Sequence, residues 1–329
     1  MVRFGRRLAL CMMGALAAGF AAADASAQDK VSVAAVYTVP IEQQWVSRIH
    51  LALNAAKERG EIDYVYSENV ANTDYERVMR EYAEQGADLI IGEAFGVERG
   101  ARNVAAQYPE TAFLMGSSLP AQEPNFAVFD NYIQEAAYLT GIVAGSVTKS
   151  GLIGMVGGYP IPEVNRLMNA FMDGAREVRP DIKFSVTFIG SWYDPPKAKE
   201  AAFAMVDGGA DVLYAERFGV SDAAKERGVY AIGNVIDTAA DYPGTVIASA
   251  LWHMEPTIEK AVEAVRSGSF KAESYGVYSH MQYGGSSLAP MDPAIVGHET
   301  IDLVEEKTQA ILDGSLVVEI DDAEPQSTL

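Results

Sequence analysis

The segment Gly86-Ala87-Asp88-Leu89-Ile90-Ile91-Gly92-Glu93-Ala94-Phe95-Gly96 returns 123 positions later as Gly209-Ala210-Asp211-Val212-Leu213-Tyr214-Ala215-Glu216-Arg217-Phe218-Gly219. In each copy a Gly-Ala-Asp turn leads into a short apolar strand with a glutamate just beyond it. One such copy is ordinary in an α/β protein. Recurrence at this spacing implies a duplicated strand-and-helix unit, which confines the chain to folds that can be built twice. Lys57-Glu58 and Arg176-Glu177, each followed by a turn and a strand, repeat at nearly the same offset.

The hydrophobic pattern fills in the two units. Strands are expected at 31–37, 64–66, 88–91, 112–115 and 126–129, with helices at 42–59, 74–85 and 97–107. A second series has strands at 152–156, 183–189, 211–214 and 229–232, with helices at 163–178, 196–207 and 222–227. Helices alternating with buried-type strands indicate parallel βαβ units rather than a meander. After residue 232 the order breaks into a strand at 245–249, a helix at 255–267, a strand at 275–278, a turn at Gly284-Gly285 and a helix at 301–313. That remainder is too short for a third unit. It suits segments that cross back between two lobes, one near 247–252 and another near 277–283. A length of 329 residues agrees with about two domains. The expected division is 28–131 plus about 250–277 for lobe one, and 132–249 plus about 278–329 for lobe two.

Arg3, Arg6 and Arg7, an apolar run over 8–23 and the triplet Ala25-Ser26-Ala27 read as a secretory signal peptide at 1–27, cut before Gln28. A membrane anchor would need about 20 apolar residues without a small-residue exit. Cys11 lies too close to Arg7, behind bulky Leu10, to serve as a lipidation site. The mature protein is therefore expected to be exported to the periplasm. Cleavage removes three arginines, Asp24 and the only cysteine, which leaves 22 basic and 44 acidic residues and a net charge of −22. Thiol chemistry and disulfides are excluded from such a chain. So acidic a protein repels phosphate backbones and anionic lipid.

Open parallel sheets bind ligands beyond the C-terminal ends of their strands. All three tryptophans fall at such places: Trp45 opens the first helix, Trp192 follows the strand ending at Ile189, and Trp252 follows the 245–249 strand. Each is either a stacking surface or core. Glu93 and Glu216 end equivalent strands and either accept ligand N–H groups or pair locally with Arg99 and Arg217. Asn234 and Asp237 follow another strand, as recognition groups or as turn formers. The four histidines, His50, His253, His280 and His298, lack metal-ligand spacing, and there is no nucleophile elbow or P-loop. A Glu93 and Glu216 glycosidase pair is the one hydrolytic arrangement on offer.

The stretches Tyr132-Ile133-Gln134-Glu135-Ala136-Ala137-Tyr138-Leu139-Thr140-Gly141, Thr148-Lys149-Ser150-Gly151-Leu152-Ile153-Gly154, Gly190-Ser191-Trp192-Tyr193-Asp194-Pro195 and Tyr242-Pro243-Gly244-Thr245-Val246 resemble the basic membrane protein (BMP) family of substrate-binding proteins for ABC importers. The resemblance runs in order along the mature chain and extends to the purine nucleoside receptors of that family. It implies a type I periplasmic-binding fold: two Rossmann-like lobes joined by three crossovers that close on a ligand. It implies a small-molecule purine and an inner-membrane ABC permease as partners, a monomer, no cofactor, no nucleic acid and no catalysis.

The family's base-sandwiching aromatics correspond to Trp45 and Trp192. Glu93, Glu216, Asn234, Asp237, Gln44 and Trp252 are the further ligand-binding expectations. The chain departs from the family where Ala250-Leu251-Trp252-His253 lacks the usual lysine. Loss of that cation and gain of an indole favour a free base such as adenine over a nucleoside. The alternative is a purine nucleoside, or a sugar-type or riboflavin-type ligand in the same fold.

Overall fold

The structure, a computed structural model, describes residues 30–329. The expected leader and its cleavage site lie outside the described residues.

The first sheet is assembled from β1 (Val31–Val36), β2 (Ile62–Ser67), β3 (Leu89–Glu93), β4 (Ala112–Gly116) and β5 (Phe126–Phe129). Its order is β2-β1-β3-β4-β5 and every pair is parallel. Strands β3 and β4 are buried along their whole length, as parallel strands covered on both faces must be. Helices α1 (Gln44–Glu58), α2 (Tyr75–Glu84) and α3 (Glu98–Gln107) connect them.

The chain then crosses over through Asp130–Ile133 and builds a second sheet. Its parts are α4 (Gln134–Val147), β6 (Leu152–Gly157), α5 (Pro162–Val178), β7 (Lys183–Phe188), α6 (Pro195–Asp207), β8 (Val212–Ala215), α7 (Val220–Arg227), β9 (Tyr230–Val235) and β10 (Val246–Trp252). The order is β7-β6-β8-β9-β10, the order of the first sheet repeated, with one antiparallel strand, β11 (Ser286–Leu288), added beside β10. Strands β3 and β8 therefore occupy equivalent places beside a switch point in strand order, where α/β sheets bind ligands.

The segment expected to cross near 247–252 stays in the second sheet to Trp252, and the chain leaves it at His253. Helix α8 (Glu255–Arg266) then packs against α1 in the first lobe. The strand expected over 275–278 is a 3₁₀ turn, Gly276–Ser279. Only Ser274 extends the first sheet, through a bridge to Val128. After a second 3₁₀ turn, Met281–Tyr283, the chain forms β11, α9 (Pro293–Val296) and α10 (His298–Leu312).

One continuous core cluster runs through both lobes, while the outer faces pack separately against α2 and α3 in one lobe and α6 and α7 in the other. The three crossovers are also tied to one another. The Trp252 indole N–H donates to Ser279 Oγ at 3.0 Å, and that hydroxyl donates to the Asp130 carbonyl at 2.8 Å.

Candidate functional site

A space of about 550 Å³, partly open to solvent, lies between the C-terminal strand ends of the two lobes. Trp45 enters it from the first turn of α1, where the Gln43 side chain caps the helix by accepting the backbone N–H groups of Trp45 and Val46. The indole stacks on Phe129 with ring centroids 5.5 Å apart and tilts against Trp252 at 5.2 Å. Gly116 makes room for it, since a Cβ there would come within 2.5 Å of the ring. The Trp45 Nε1–H is buried without a partner among the described residues.

Trp192 enters from the other lobe, in the turn between β7 and α6. It is half-buried, with Tyr159 at 4.8 Å and the Arg217 guanidinium 5.4 Å from its ring centroid. The Trp192 carbonyl accepts a 2.8 Å bond from Arg217 Nη1. Phe95, half-buried beyond β3, adds a third aromatic to the lining.

The polar groups are mostly acidic. Glu93, at the end of β3, uses Oε1 to accept the Thr38 backbone N–H and hydroxyl, both at 2.6 Å, and leaves Oε2 buried with no partner among the described residues. Burial outweighs those two bonds and pushes its carboxyl up to about 7. Glu163, the second residue of α5, is buried and lines the same space. Burial and the neighbouring Asp130 and Glu216 push it up to about 8. Arg217 faces the space too, but its charge is engaged by Glu216 through Nε at 2.7 Å and through Nη2.

The structure thus brings Trp45, Trp192 and Glu93 together on one cavity. The carboxylate of Glu216 is consumed by Arg217 and by the Gly158 N–H at 2.9 Å, so it positions Arg217 from behind. Gln44 donates across the lobes to the Glu216 carbonyl. With Asn234, whose buried amide atoms have no partner among the described residues, it lines a separate, smaller space of about 290 Å³. Asp237 is exposed and accepts the Ala239 N–H, closing a turn. Trp252 is fully buried behind Trp45 and has no face on the cavity.

Sequence reasoning passed over Phe95 and Glu163 and treated Arg217 only as an ion-pair partner. The place of Phe95 two residues beyond Glu93, past the same strand end, is the signal that reveals it. Among the described residues no three His, Cys, Asp or Glu side chains gather as a metal site, and no helix is long and apolar enough to cross a membrane.

A family model described as PnrA-like ABC transporter substrate-binding protein matches residues 30–278. The chain is 34% identical over 255 residues to a Haloferax volcanii protein whose name assigns it to ABC transporter glucose binding; the match covers 77% of this chain and 64%, under two thirds, of that relative. It is 28% identical over 286 residues to a purine-binding protein of Brucella abortus, covering 85% of this chain and 81% of the relative. A solved solute-binding protein of an ABC transporter system from Conexibacter woesei superposes with a TM-score of 0.70 at 26% identity, over 88% of this chain and 98% of that one.

Proposed function

The chain belongs to the PnrA-like family of ABC transporter substrate-binding proteins and has their type I periplasmic-binding fold; from that premise we propose that its cavity captures an uncharged purine, a free base such as adenine, for delivery to an ABC permease. Members of this family bind a solute and are not enzymes. The observation that carries the reading is the pair of indoles, Trp45 and Trp192, reaching one cavity from opposite lobes. Aromatic faces hold flat bases by stacking worth about 1–3 kcal/mol per base. Closure that brings the second face onto a ring already lying on the first couples affinity to the closed state.

The charges favour a neutral ligand. Among the described residues, Glu93 and Glu163 line the space, and the one guanidinium there is already paired with Glu216. A phosphorylated ligand would meet carboxyl groups with no free cation among the described residues to offset them. Trp252 is buried behind Trp45, off the cavity, so the indole found in place of the family's lysine does not contribute to this preference. The protein acts in this reading as a periplasmic monomer whose leader is removed before Gln28.

Calorimetric titration with adenine, adenosine and glucose tests it. Adenine is expected to bind one per chain and to be recovered unchanged, with adenosine at least tenfold weaker. Adenosine or guanosine binding tenfold tighter than any base would overturn the free-base reading. Glucose binding with no purine response, as the name of the Haloferax relative suggests, would overturn the purine reading.

A further inference from the structure

Glu163 is buried to 4% exposure on the cavity wall, and no described residue donates a hydrogen bond to its carboxyl. The charged groups facing it are Asp130 from the first crossover, Arg166 on its own helix, and Glu216 with Arg217 beyond β8. Glu93 lines the same space from the first lobe. Both guanidiniums are committed. Arg166 bridges Asp130 at 2.9 Å and Asp322 of the C-terminal segment at 3.0 Å, while Arg217 holds Glu216. Two carboxylates thus already face two cations around Glu163, with Asp322 half exposed beyond Arg166, so an ionised Glu163 would add an uncompensated charge on a largely desolvated wall. Glu93 differs, because two bonds from Thr38 support its anion.

We propose that Glu163 is a specificity-determining residue, meeting the bound base as a neutral carboxylic acid that donates its O–H to a ring nitrogen and accepts an N–H from the same edge. This rests on the purine reading of the cavity. A protonated carboxyl offers one donor beside one acceptor. Adenine presents the complementary pattern, N7 as acceptor beside the 6-amino donor, whereas guanine presents two acceptors, N7 and O6. A neutral acid on this edge therefore selects adenine over guanine without using charge. Burial that pushes Glu163 up to about 8 agrees with this role.

The test is adenine and guanine titration of the unmodified protein, Glu163→Gln and Glu163→Met between about pH 6 and pH 9. The bound state keeps the proton, so affinity is full below the pKa of the free protein and falls as pH rises through it, about tenfold between pH 7 and pH 9. The glutamine variant, a permanent donor and acceptor, should bind adenine within about threefold of the unmodified protein at pH 7 and lack that extra fall. Glu93 and the ligand titrate in both proteins, so the difference between the two profiles isolates Glu163. The methionine variant should lose at least tenfold in adenine affinity and most of the preference over guanine.

Parallel pH profiles, or a loss above about thirtyfold in a glutamine variant with unchanged melting temperature, would show an ionised acceptor and overturn the inference. On the unmodified protein, titration near pH 8.5 in buffers of different ionisation enthalpy should report proton uptake on binding; no uptake overturns it without any variant. Failure of the unmodified protein to bind adenine at any pH is the separate failure of the purine reading.

Discussion

Arg217→Met separates the seat of Trp192 from the stability of the second lobe. The guanidinium pairs with Glu216, with both side chains 4% exposed or less, and also bonds the Trp192 carbonyl and underlies its ring. Without it, Glu216 keeps only the Gly158 N–H at 2.9 Å. Breaking a buried pair by removing one partner costs about 3–5 kcal/mol, because the remaining charge is stranded. Changing both residues, Arg217→Met with Glu216→Gln, removes both charges and retains an acceptor for Gly158. The residual cost is then about 1–2 kcal/mol, chiefly the lost bond to Trp192. The two single costs should therefore be strongly non-additive.

The pH dependence follows from the same pair. Burial raises the carboxyl of Glu216 and Arg217 is the main influence opposing that rise. In Arg217→Met the carboxyl moves higher still. An acid with a raised folded-state pKa loses stability as pH climbs through that value, so the deficit should be greatest near pH 8 and shrink toward pH 5. Urea unfolding followed by tryptophan fluorescence measures both effects. A cost below about 1 kcal/mol at pH 8, or a deficit that does not change with pH, would refute the buried-pair argument. Ligand affinity should fall in the single and the double variant alike, since both free Trp192 from its anchor.

Two further perturbations address the aromatic walls. Trp192→Ala should weaken base binding by about 1–3 kcal/mol with little change in stability; calorimetry that shows a loss below about 0.3 kcal/mol would leave this indole as an unused wall. Gly116→Ala puts a methyl within 2.5 Å of the Trp45 ring and should destabilise the first lobe by about 1–3 kcal/mol. It should also weaken binding, and an unchanged affinity would mean that Trp45 does not set the cavity floor.

The sheets were legible because parallel strands covered on both faces are nearly continuous apolar runs, and the duplicated segment marks β3 and β8 as partners in matching sheets. Helix α4 was not legible. Its sequence, Gln134–Val147, is buried almost all round against α5, α10 and β10, so it carries no polar face from which a period can be read. Gly276 sits under the Tyr132 ring, where a Cβ would lie 2.5 Å from it, and there the expected strand turns into 3₁₀ structure. Strand-end position alone placed Trp45, Trp192 and Glu93 on the cavity. The same rule put Trp252 there, but the indole of Trp45 covers it and Ser279 takes its N–H.

What the pattern could not convey is which acids the fold leaves unpaired. Glu216 and Glu163 look alike in sequence, one beyond a strand and one at a helix start. Arg217, adjacent to Glu216 in the chain, neutralises it. The cation nearest Glu163 in its own helix, Arg166, is drawn away by Asp130 from the first crossover and by Asp322, which is 156 residues distant. The partner that determines whether a buried carboxyl is a counter-ion or a free hydrogen-bonding group thus arrives from a remote part of the chain. The chain's net charge of −20 carries no information about it. The local count does: two carboxylates and two cations already paired with one another around Glu163 leave it without a counter-ion among the described residues, and hydrogen bonding as a neutral acid is the chemistry this wall can offer.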